Sequence, residues 1–519
     1  MHRWWRWRSC WLLLVGVFGT GCQQTSDAPK NPAPSFPGIT LRIGAVDDVP
    51  ILAGVRPQLG EWEASRHGNA VIRDEPVTLQ SVTEVDIVLL PAQRLGDLVD
   101  AGALAKIPNA AVVPPKPTDS EADDQGRREQ DQAGPALDDV FRYMDIAPGY
   151  REQVSRYGPD RLALPCGGSA LVLVYRRDAF ERAPNKAAAK QAGLTLEPPT
   201  RWEQLDALAK FFHGRDWNGD DKPDQGIAIT LGADSEGVGD ATFLARAASL
   251  GQHRDHYSFL FDSDKMTPRI DTPPFAQALR DLVALKRYGP PGMEGFDADR
   301  ARAAFRTGEV ALLIDRAERA DTWSHGKPIA VAPLPGSDRV YEPIRKEWIP
   351  ASPRNAPGYL PRGGGWLIAI NAQLSGTQLE AAIDFAKYLA GPENAPRIRG
   401  ERAFPMLPVR TSQMGQGLPD PMSAPDVDSR LWSDAVSRTL LGERVVPGLR
   451  IPQADLYLAD LTRGRVAAAG GVAAEEALAA VAKAWTERIN GYGSKRALWH
   501  YRRSLNSLVT LPEPPDLGK

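Results

Sequence analysis

Several polar side chains follow predicted strands, in positions suited to binding a small molecule. Carboxylate, amide and guanidinium groups can make planar, bidentate hydrogen bonds, and a tryptophan adds an apolar ring face. Ligands of open α/β sheets bind in loops outside the carboxyl ends of the strands. The candidate ligand-binding residues are Asp47, Asp48, Gln93, Arg94, Gly167, Gly168, Asp240, Asp315, Arg316, Gly364, Gly365 and Trp366.

Some of these residues also have a purely structural interpretation. Trp366 could pack in the core behind the Gly-rich turn 363–365, because tryptophan is usually well buried. Asp315 and Arg316 could form a surface ion pair. The three glycines allow a ligand close to the backbone, but they lack the spacing of a dinucleotide or Walker loop. For Cys166, which has no histidine nearby in sequence, we expect a small buried thiol.

The segment DWNGDDKPD, residues 216–224, spaces oxygen atoms as a calcium loop does. The candidate ligands are Asp216, Asn218, Asp220, Asp224 and the backbone carbonyl of Lys222. Two positions depart from the pattern, because Asp221 replaces the usual glycine and Ile227 replaces the bidentate glutamate. A structural Ca²⁺ is the predicted ligand, and a polar loop of Asx turns is the alternative. No other cofactor is expected.

Catalytic signatures are absent from the sequence. Of the seven histidines, only His253 and His256 have the spacing of a metal pair, and no carboxylate completes a recognised motif. G-x-S-x-G, H-E-x-x-H and kinase motifs do not occur. Sequence separation cannot exclude a pair of glycosidase carboxylates among 65 acidic residues. We expect a binding protein and not an enzyme.

Alternating strands and helices must position the candidate residues. Apolar strands are predicted at 85–93 and 309–314, and the segment 198–212 reads as a helix with a capping box formed by Thr200 and Glu203. Strands that are apolar throughout indicate a parallel sheet covered on both faces. The predicted fold class is therefore α/β. With 519 residues, the chain exceeds the size of one core, so two lobes are expected.

In their order, these segments resemble the extracellular solute-binding proteins of bacterial ABC importers, and most closely the group that includes maltose- and other sugar-binding proteins. Among the segments that carry the resemblance are LPCGGSALVLVYRRDAF (164–180), PPTRWEQLDALAKFF (198–212), ARAAFRTGEVALLID (301–315), GGGWLIAI (363–370) and AAIDFAKYLAGPENAPRI (381–398). The resemblance extends over most of the chain from residue 39 onward.

The resemblance implies a periplasmic-binding-protein type II-like fold with two discontinuous α/β lobes, a ligand cleft between them and a helical C-terminal region. Lobe 1 is expected to comprise 39–163 and 303–345, and lobe 2 to comprise 164–302 and 346–510. The charged stretch 109–136 is predicted to be a flexible insertion in lobe 1.

The leader predicts export. Three arginines precede a short apolar core, and Gly-Thr-Gly at 19–21 supplies small residues ahead of Cys22. This ending resembles the bacterial lipoprotein signal, in which the cysteine is acylated, although Gly19 stands where leucine is usual. Cleavage of residues 1–21 as an ordinary secretory signal is the alternative. Residues 22–38, rich in Pro, Ser and Gln, are predicted to be a flexible tether.

Charge argues against a nucleic-acid partner, and cysteine content argues against disulfides. The chain has 62 basic and 65 acidic residues, a charge of −3, and loss of the three leader arginines lowers it to −6. Such a balance does not suit nucleic acid. If Cys10 leaves with the leader and Cys22 is acylated, Cys166 alone remains, and no intramolecular disulfide can form.

The function that the resemblance implies is the capture of a small polar solute, with a carbohydrate favoured, for the permease subunits of an ABC importer. We expect an exported, lipid-anchored monomer that faces the periplasmic or extracellular side. The alternatives are an extracellular carbohydrate-active enzyme and a degenerate binding module that acts as a sensor or scaffold.

Overall fold

Continuous apolar runs form the strands of two main sheets. The computed structural model describes residues 34–113, 140–256, 258–418 and 422–506. The strands are β1 Thr40–Ala45, β2 Asn69–Ile72, β3 Ile87–Pro91, β4 Arg156–Tyr157, β5 Asp160–Arg161, β6 Ala163–Gly168, β7 Leu171–Arg176, β8 Gln225–Ala228, β9 Val310–Arg316, β10 Ile329–Pro333, β11 Ser337–Glu342, β12 Glu347–Asn355, β13 Gly358–Leu360, β14 Gly365–Ile370 and β15 Val445–Pro447.

Helices cover and connect these sheets. They are α1 Leu52–Val55, α2 Leu59–Arg66, α3 Leu95–Asp100, α4 Asn109–Val112, α5 Arg177–Glu181, α6 Ala183–Gln191, α7 Trp202–Phe212, α8 Val238–Gly251, α9 Pro273–Ala284, α10 Ala298–Arg306, α11 Gly376–Ala390, α12 Asn394–Arg399, α13 Ser429–Leu440, α14 Ala454–Ala469, α15 Ala474–Tyr492 and α16 Ser494–Ser504.

The first sheet has the strand order β2-β1-β3-β14-β6. Its strand β1 is parallel to β2 and β3, whereas β14 runs antiparallel to both β3 and β6. Every residue of β3, β6 and β14 is buried, and α11 packs against β14. These strands are therefore covered on both faces, as their continuous apolar sequence predicts.

The second sheet has the order β10-β7-β9-β8, and only the β8–β9 pair is parallel. Helices α7, α10 and α13 pack against its strands. The α/β class is thus confirmed, but the predicted parallel sheet is corrected to two mixed sheets. Burial of a strand on both faces produces a continuous apolar run whichever direction its neighbour takes, so the pattern did not reveal strand direction.

The strand pairing also corrects the predicted lobe segments. Segment 303–345, assigned to lobe 1, contributes β9 and β10 to the second sheet, where Leu313 pairs with Val174 of β7. Segment 346–510, assigned to lobe 2, contributes β14 to the first sheet, where Ile368 pairs with Leu89 of β3. The strands cross between the sheets at residues 169–170 and again between β10 and β14.

Helix α7 begins one residue later than a cap at Thr200 would place it. Trp202 is the first helical residue, so Gln204 occupies the third helical position, and its Oε1 accepts the backbone N–H groups of Thr200 and Arg201. The predicted reciprocal box of Thr200 and Glu203 is corrected to a one-sided cap by Gln204, because the Arg201 side chain at the N-cap has no hydrogen-bond acceptor. The apolar residues Trp202, Leu205, Leu208, Ala209 and Phe212 of this helix are buried.

The predicted helical C-terminal region is confirmed. Helix α14 packs against α15 and α8, and α16 contacts β4. On α16, His500 and Arg496 both bond Asp100 of α3, with the His500 Nε2 atom 3.1 Å from the carboxylate. The last helix is therefore tied to the α3 region.

Parts of two segments predicted to be flexible are packed into the fold. Phe36, assigned to the tether, is buried and stacks on Trp62 with ring centroids 6.2 Å apart. In the predicted insertion, Val112 is buried and Asn109 accepts a hydrogen bond from Arg161. Segment 114–136, the leader 1–21 and Cys22 lie outside the described residues. Within the described ranges, no helix combines the length and apolar character needed to cross a membrane.

Candidate ligand-binding cleft

A cavity of about 250 Å³ lies between loops of the two sheets. One wall comes from the first sheet, where Asp48 follows β1, and Arg362 and Trp366 flank the start of β14. The other wall comes from the second sheet, where Arg316 ends β9 and Arg319 follows it. The cavity therefore lies at strand ends, the position predicted for a ligand site.

Asp48 organises the first wall. Its Oδ2 atom accepts a hydrogen bond from Arg362 Nη2 at 2.6 Å and from the Trp366 indole N–H at 2.8 Å. Arg362 has a left-handed backbone with φ of 54°, which is uncommon for a residue with a side chain. This conformation turns the chain just before β14 and places a guanidinium group against Asp48.

The Gly-rich turn serves backbone packing. A Cβ atom on Gly364 would lie 2.6 Å from a Val154 methyl group, and one on Gly365 would lie 2.3 Å from the Gly167 carbonyl oxygen. Both glycines also have positive φ angles, 127° and 134°. Gly364 and Gly365 thus allow the protein's own chain to approach closely. Their contact with a ligand stays a prediction.

Trp366 combines the two roles considered for it. It is only 2% exposed, as core packing requires, yet it also lines the cavity and donates its N–H to Asp48. Phe404 meets its ring edge-on, with centroids 5.0 Å apart, and lines the same cavity while partly exposed. The aromatic surface accessible to a ligand is therefore that of Phe404.

Glu236 organises the second wall from the loop before α8. It accepts hydrogen bonds from Arg302 Nη1 and Nη2 at 2.7 and 2.8 Å, and from Arg316 Nη2 at 2.8 Å. Burial alone would raise the pKa of Glu236, but Arg302, Arg316 and Arg319 together lower it to about 2. The carboxylate is therefore ionised at neutral pH.

Asp315 lies behind this wall, although it directly precedes Arg316. Its side chain is buried, and it accepts hydrogen bonds from Arg302 Nε at 2.7 Å and from the Trp323 indole N–H at 2.8 Å. These contacts engage the carboxylate of Asp315 behind the wall. Its predicted contact with a ligand is therefore corrected to a buried ion pair. Arg316 pairs with Glu236 instead, so the predicted surface pair of Asp315 and Arg316 does not form.

Asp47 and Arg94 lie beside the cavity and do not line it. Arg94 forms ion pairs with Asp47 at 3.0 Å, with Asp97 at 3.0 Å and with Asp455 of α14 at 3.2 Å. The guanidinium group thus joins the β1 loop, α3 and α14. Gln93 presents its backbone to the Gly-rich turn, since a Cβ on Gly363 would lie 2.4 Å from the Gln93 nitrogen.

Three other predicted ligand residues are structural. A Cβ on Gly167 would lie 2.4 Å from Met406 Sδ, and one on Gly168 would lie 2.5 Å from the Tyr150 hydroxyl. Asp240 is buried and accepts a hydrogen bond from Arg465 Nε at 2.7 Å. These contacts give the three residues structural roles outside the cavity lining, and their contact with a ligand stays a prediction.

Cys166 is a buried thiol, as expected. Its Sγ donates to the Trp366 carbonyl at 3.4 Å, and burial raises its pKa to about 12.

The cavity also contains residues that the sequence pattern did not indicate. Glu236 and Phe404 lie in loops, and Arg319 and Arg362 lie in short 3-10 turns, where hydrophobic periodicity carries no signal. Arg362 alone had a local indication, because it directly precedes the three glycines.

The side chains of the predicted calcium loop bond to the loop's own backbone. Asp216 accepts from the Gly219 and Asp220 amides, Asn218 accepts from Asp220, and Asp224 accepts from Trp217 at 3.0 Å. Across the described ranges, no group of three or more His, Cys, Asp or Glu residues is placed to hold a metal ion. This geometry favours the Asx-turn alternative, and calcium binding stays a prediction.

Comparison with solved structures identifies the fold. The chain is similar to an ABC transporter solute-binding protein from Agrobacterium radiobacter K84 in complex with ribitol, with a TM-score of 0.56 and 20% identity over 87% of this chain and 98% of the other. It is equally similar to maltose-bound T. maritima MalE3, with a TM-score of 0.56 and 17% identity over 87% of this chain and 100% of the other. These likenesses confirm the type II periplasmic-binding-protein fold.

Sequence comparison gives a relative and a family. A mannitol-binding protein of Pseudomonas aeruginosa is 28% identical over 173 residues, which are 33% of this chain and 34% of that protein. The matched region thus spans about a third of the relative's length. The model of the bacterial extracellular solute-binding protein family matches residues 77–412, more than half of the chain. The chain belongs to the family of bacterial extracellular solute-binding proteins.

Proposed function

We propose that the protein captures a small polar solute, with a sugar or sugar alcohol favoured, and delivers it to the permease subunits of an ABC importer. The observation that carries this proposal is the cavity with Asp48 on one wall and Arg316 on the other, each from a different sheet. A ligand between these walls would contact both sheets. Ribitol and maltose in solved structures of the same fold support this class of ligand.

The residues of the cavity suit a polyhydroxylated molecule. Carboxylate and guanidinium groups hydrogen-bond hydroxyls in a planar, bidentate manner, and Phe404 adds an aromatic surface. The volume of about 250 Å³ is close to the lower end of the roughly 300–1,000 Å³ typical of ligand pockets. A monosaccharide or a small polyol fits this volume better than a long oligosaccharide.

Closure of the two sheets around the solute is part of the proposal. Residues 169–170 and the segment between β10 and β14 cross from one sheet to the other, so they are the candidate hinges. Closure would remove water from the charged walls and strengthen their hydrogen bonds to the solute.

The ionised state of the Glu236 carboxylate agrees with a protein that binds a solute and does not convert it. A glycosidase needs a carboxylic acid that donates a proton, whereas the arginines around Glu236 hold its pKa at about 2. The family and its solved neighbours are binding proteins.

The proposals on location and partners rest on the leader and on composition. We propose export, acylation of Cys22, attachment to the membrane by the lipid alone and a monomeric state, with no nucleic-acid partner. Labelling with a fatty acid analogue that is lost in Cys22→Ser would support the anchor, and equal labelling of the variant would contradict it.

A ligand panel tests the binding function. Thermal unfolding is measured with ribitol, mannitol, maltose, monosaccharides and sugar acids, and each positive is then titrated by calorimetry. A ligand at about 100 times its Kd adds roughly 2.7 kcal/mol to the free energy of unfolding. Stabilisation by one ligand class supports the proposal, and no response to any class contradicts it.

A further inference from the structure

Three guanidinium groups line the cavity with donors that the protein leaves unused. Arg319 makes no hydrogen bond through its side chain to any residue that the structure describes, and its nearest carboxylate oxygen, on Glu236, is 4.0 Å from Nε. Arg316 and Arg362 each bond a carboxylate through Nη2 only. Their Nη1 groups make no hydrogen bond within the described part of the chain.

Most acceptors of the cavity are already engaged. Asp48 Oδ2 accepts from two donors, and Glu236 accepts three hydrogen bonds from two arginines. Asp48 Oδ1 and the Ser235 hydroxyl are the lining side-chain acceptors that make no hydrogen bond within the described residues. The two carboxylates that line the cavity face three arginines there. A third carboxylate, Glu318, lies behind Arg316 with 3.6 Å between Oε1 and the guanidinium Nε, and burial raises its pKa. The cavity therefore offers many free donors and few free acceptors.

This imbalance discriminates between ligand classes. A hydroxyl both donates and accepts a hydrogen bond, so a neutral polyol needs free acceptors as well as donors around it. An oxyanion only accepts, and its hydrogen bonds to guanidinium groups are charge-assisted and bidentate. An unpaired guanidinium group in a partly buried site is most stable beside such a group.

We propose that the cavity binds an acidic sugar or polyol, a small polyhydroxylated molecule whose oxyanion group is held by Arg319, Arg316 and Arg362. The proposal rests on the proposed function and specifies its ligand class. Both a carboxylate, as in aldonates and uronates, and a phosphate ester offer this chemistry. The volume of about 250 Å³ accommodates one sugar unit with one such group.

Calorimetric titration of the purified protein with matched pairs tests the proposal. The pairs are ribonate with ribitol, mannonate with mannitol and glucuronate with glucose, and mannitol 1-phosphate forms the phosphate arm. We expect at least one acid to bind ten-fold or more tightly than its neutral counterpart. The carboxylate and phosphate arms show which oxyanion is preferred.

Arg319→Gln is the decisive variant, because Arg319 has no hydrogen bond whose loss would affect folding. It should weaken binding of the acid ten-fold or more and weaken binding of the neutral counterpart by a clearly smaller factor, because only the acid loses a charge-assisted contact. Arg430→Gln, an exposed position on α13 outside the cavity, is the matched control and should change neither.

The outcomes separate the two proposals. Neutral ligands that bind as tightly as the acids, or equal losses for both ligands in Arg319→Gln, would overturn the acidic-ligand proposal and leave the solute-binding function standing. If no ligand in the panel binds, both proposals are overturned.

Discussion

Asp48 Oδ2 and Arg362 Nη2 lie 2.6 Å apart at the cavity, although the two residues are 314 positions apart in the sequence. One follows the first strand of the chain, and the other precedes the antiparallel strand that completes the same wall. Trp366 donates to the same carboxylate oxygen. This triad fixes the first wall before any ligand arrives, so the site is organised by the fold and does not depend on the ligand for its shape.

The indole N–H of Trp366 should contribute measurably to this organisation. Trp366→Phe keeps a buried aromatic ring but removes the hydrogen bond to Asp48 and leaves part of the volume unfilled. We expect a loss of about 2 kcal/mol in the free energy of unfolding, from the two effects together. Urea denaturation measures it. Trp348→Phe, on the more exposed strand β12, should lose less than about 1 kcal/mol, and equal losses would contradict the assigned role.

Gly365 should not tolerate a side chain. An alanine Cβ would lie 2.3 Å from the Gly167 carbonyl oxygen at a φ of 134°. We expect Gly365→Ala to lose more than about 3 kcal/mol of stability or to fail to fold, because both backbone strain and a clash oppose it. Gly102→Ala also has a positive φ but meets open space, and it should lose only about 1 kcal/mol. Thermal unfolding that ranks the two variants the other way would contradict this explanation.

His325 should make the protein sensitive to acid. Burial and the nearby Arg176 lower its pKa to about 4, and both ring nitrogens lack hydrogen-bond partners among the described residues. The unfolded chain therefore binds a proton that the folded chain does not between about pH 6.5 and 4, so stability falls as the pH falls through this window. After allowance for partial exposure, the loss is on the order of 1 kcal/mol.

The variant His325→Phe should flatten this part of the pH profile, because phenylalanine keeps the stack on Phe305, whose ring lies 5.7 Å away. His67→Asn, at an exposed histidine, is the control and should leave the slope unchanged. Urea unfolding at pH 7, 6, 5 and 4 gives the comparison. An unaltered slope in His325→Phe would show that other groups carry the acid response.

Calcium should have little effect on stability if the loop 216–224 is closed by its own Asx turns. We expect addition of millimolar calcium after chelation to shift Tm by less than about 1 °C, because Asp216 and Asp224 already accept backbone N–H groups. Asp216→Ala should destabilise the loop equally with and without calcium. A larger shift in Tm that is lost in Asp216→Ala would show that the loop binds calcium.

Local sequence patterns predicted the elements better than their pairing. The apolar strand β3 and the amphipathic helix α7 follow from periodicity, since each is defined by its own residues. Whether β9 pairs with β7 depends on contacts between residues far apart in the chain, which no local pattern contains. The predicted lobe segments were therefore exchanged even though the strands themselves were located.

The same distinction applies to the cleft. Asp48 and Arg316 could be found because they directly follow strands, and ligand sites occur there. Asp315 satisfies the same rule but is neutralised by Arg302, which approaches from the preceding helix. Arg319 comes from a short 3-10 turn and Phe404 from a loop, and only the folded chain brings them to the cavity. Sequence position thus indicated where the site lies, whereas the ion pairs of the side chains determine which of these residues line the cavity.

The proposed function requires a solute to be held between walls from both sheets, and titration of one variant on each wall tests this requirement. With a ligand identified from the panel, Asp48→Asn changes the first wall and Arg316→Gln the second, while Asp74→Asn changes an exposed acid outside the cavity. Calorimetry should show a loss of affinity of about ten-fold or more in each wall variant, roughly 1.4 kcal/mol, and none in the control. Unchanged affinity in either wall variant would contradict the account.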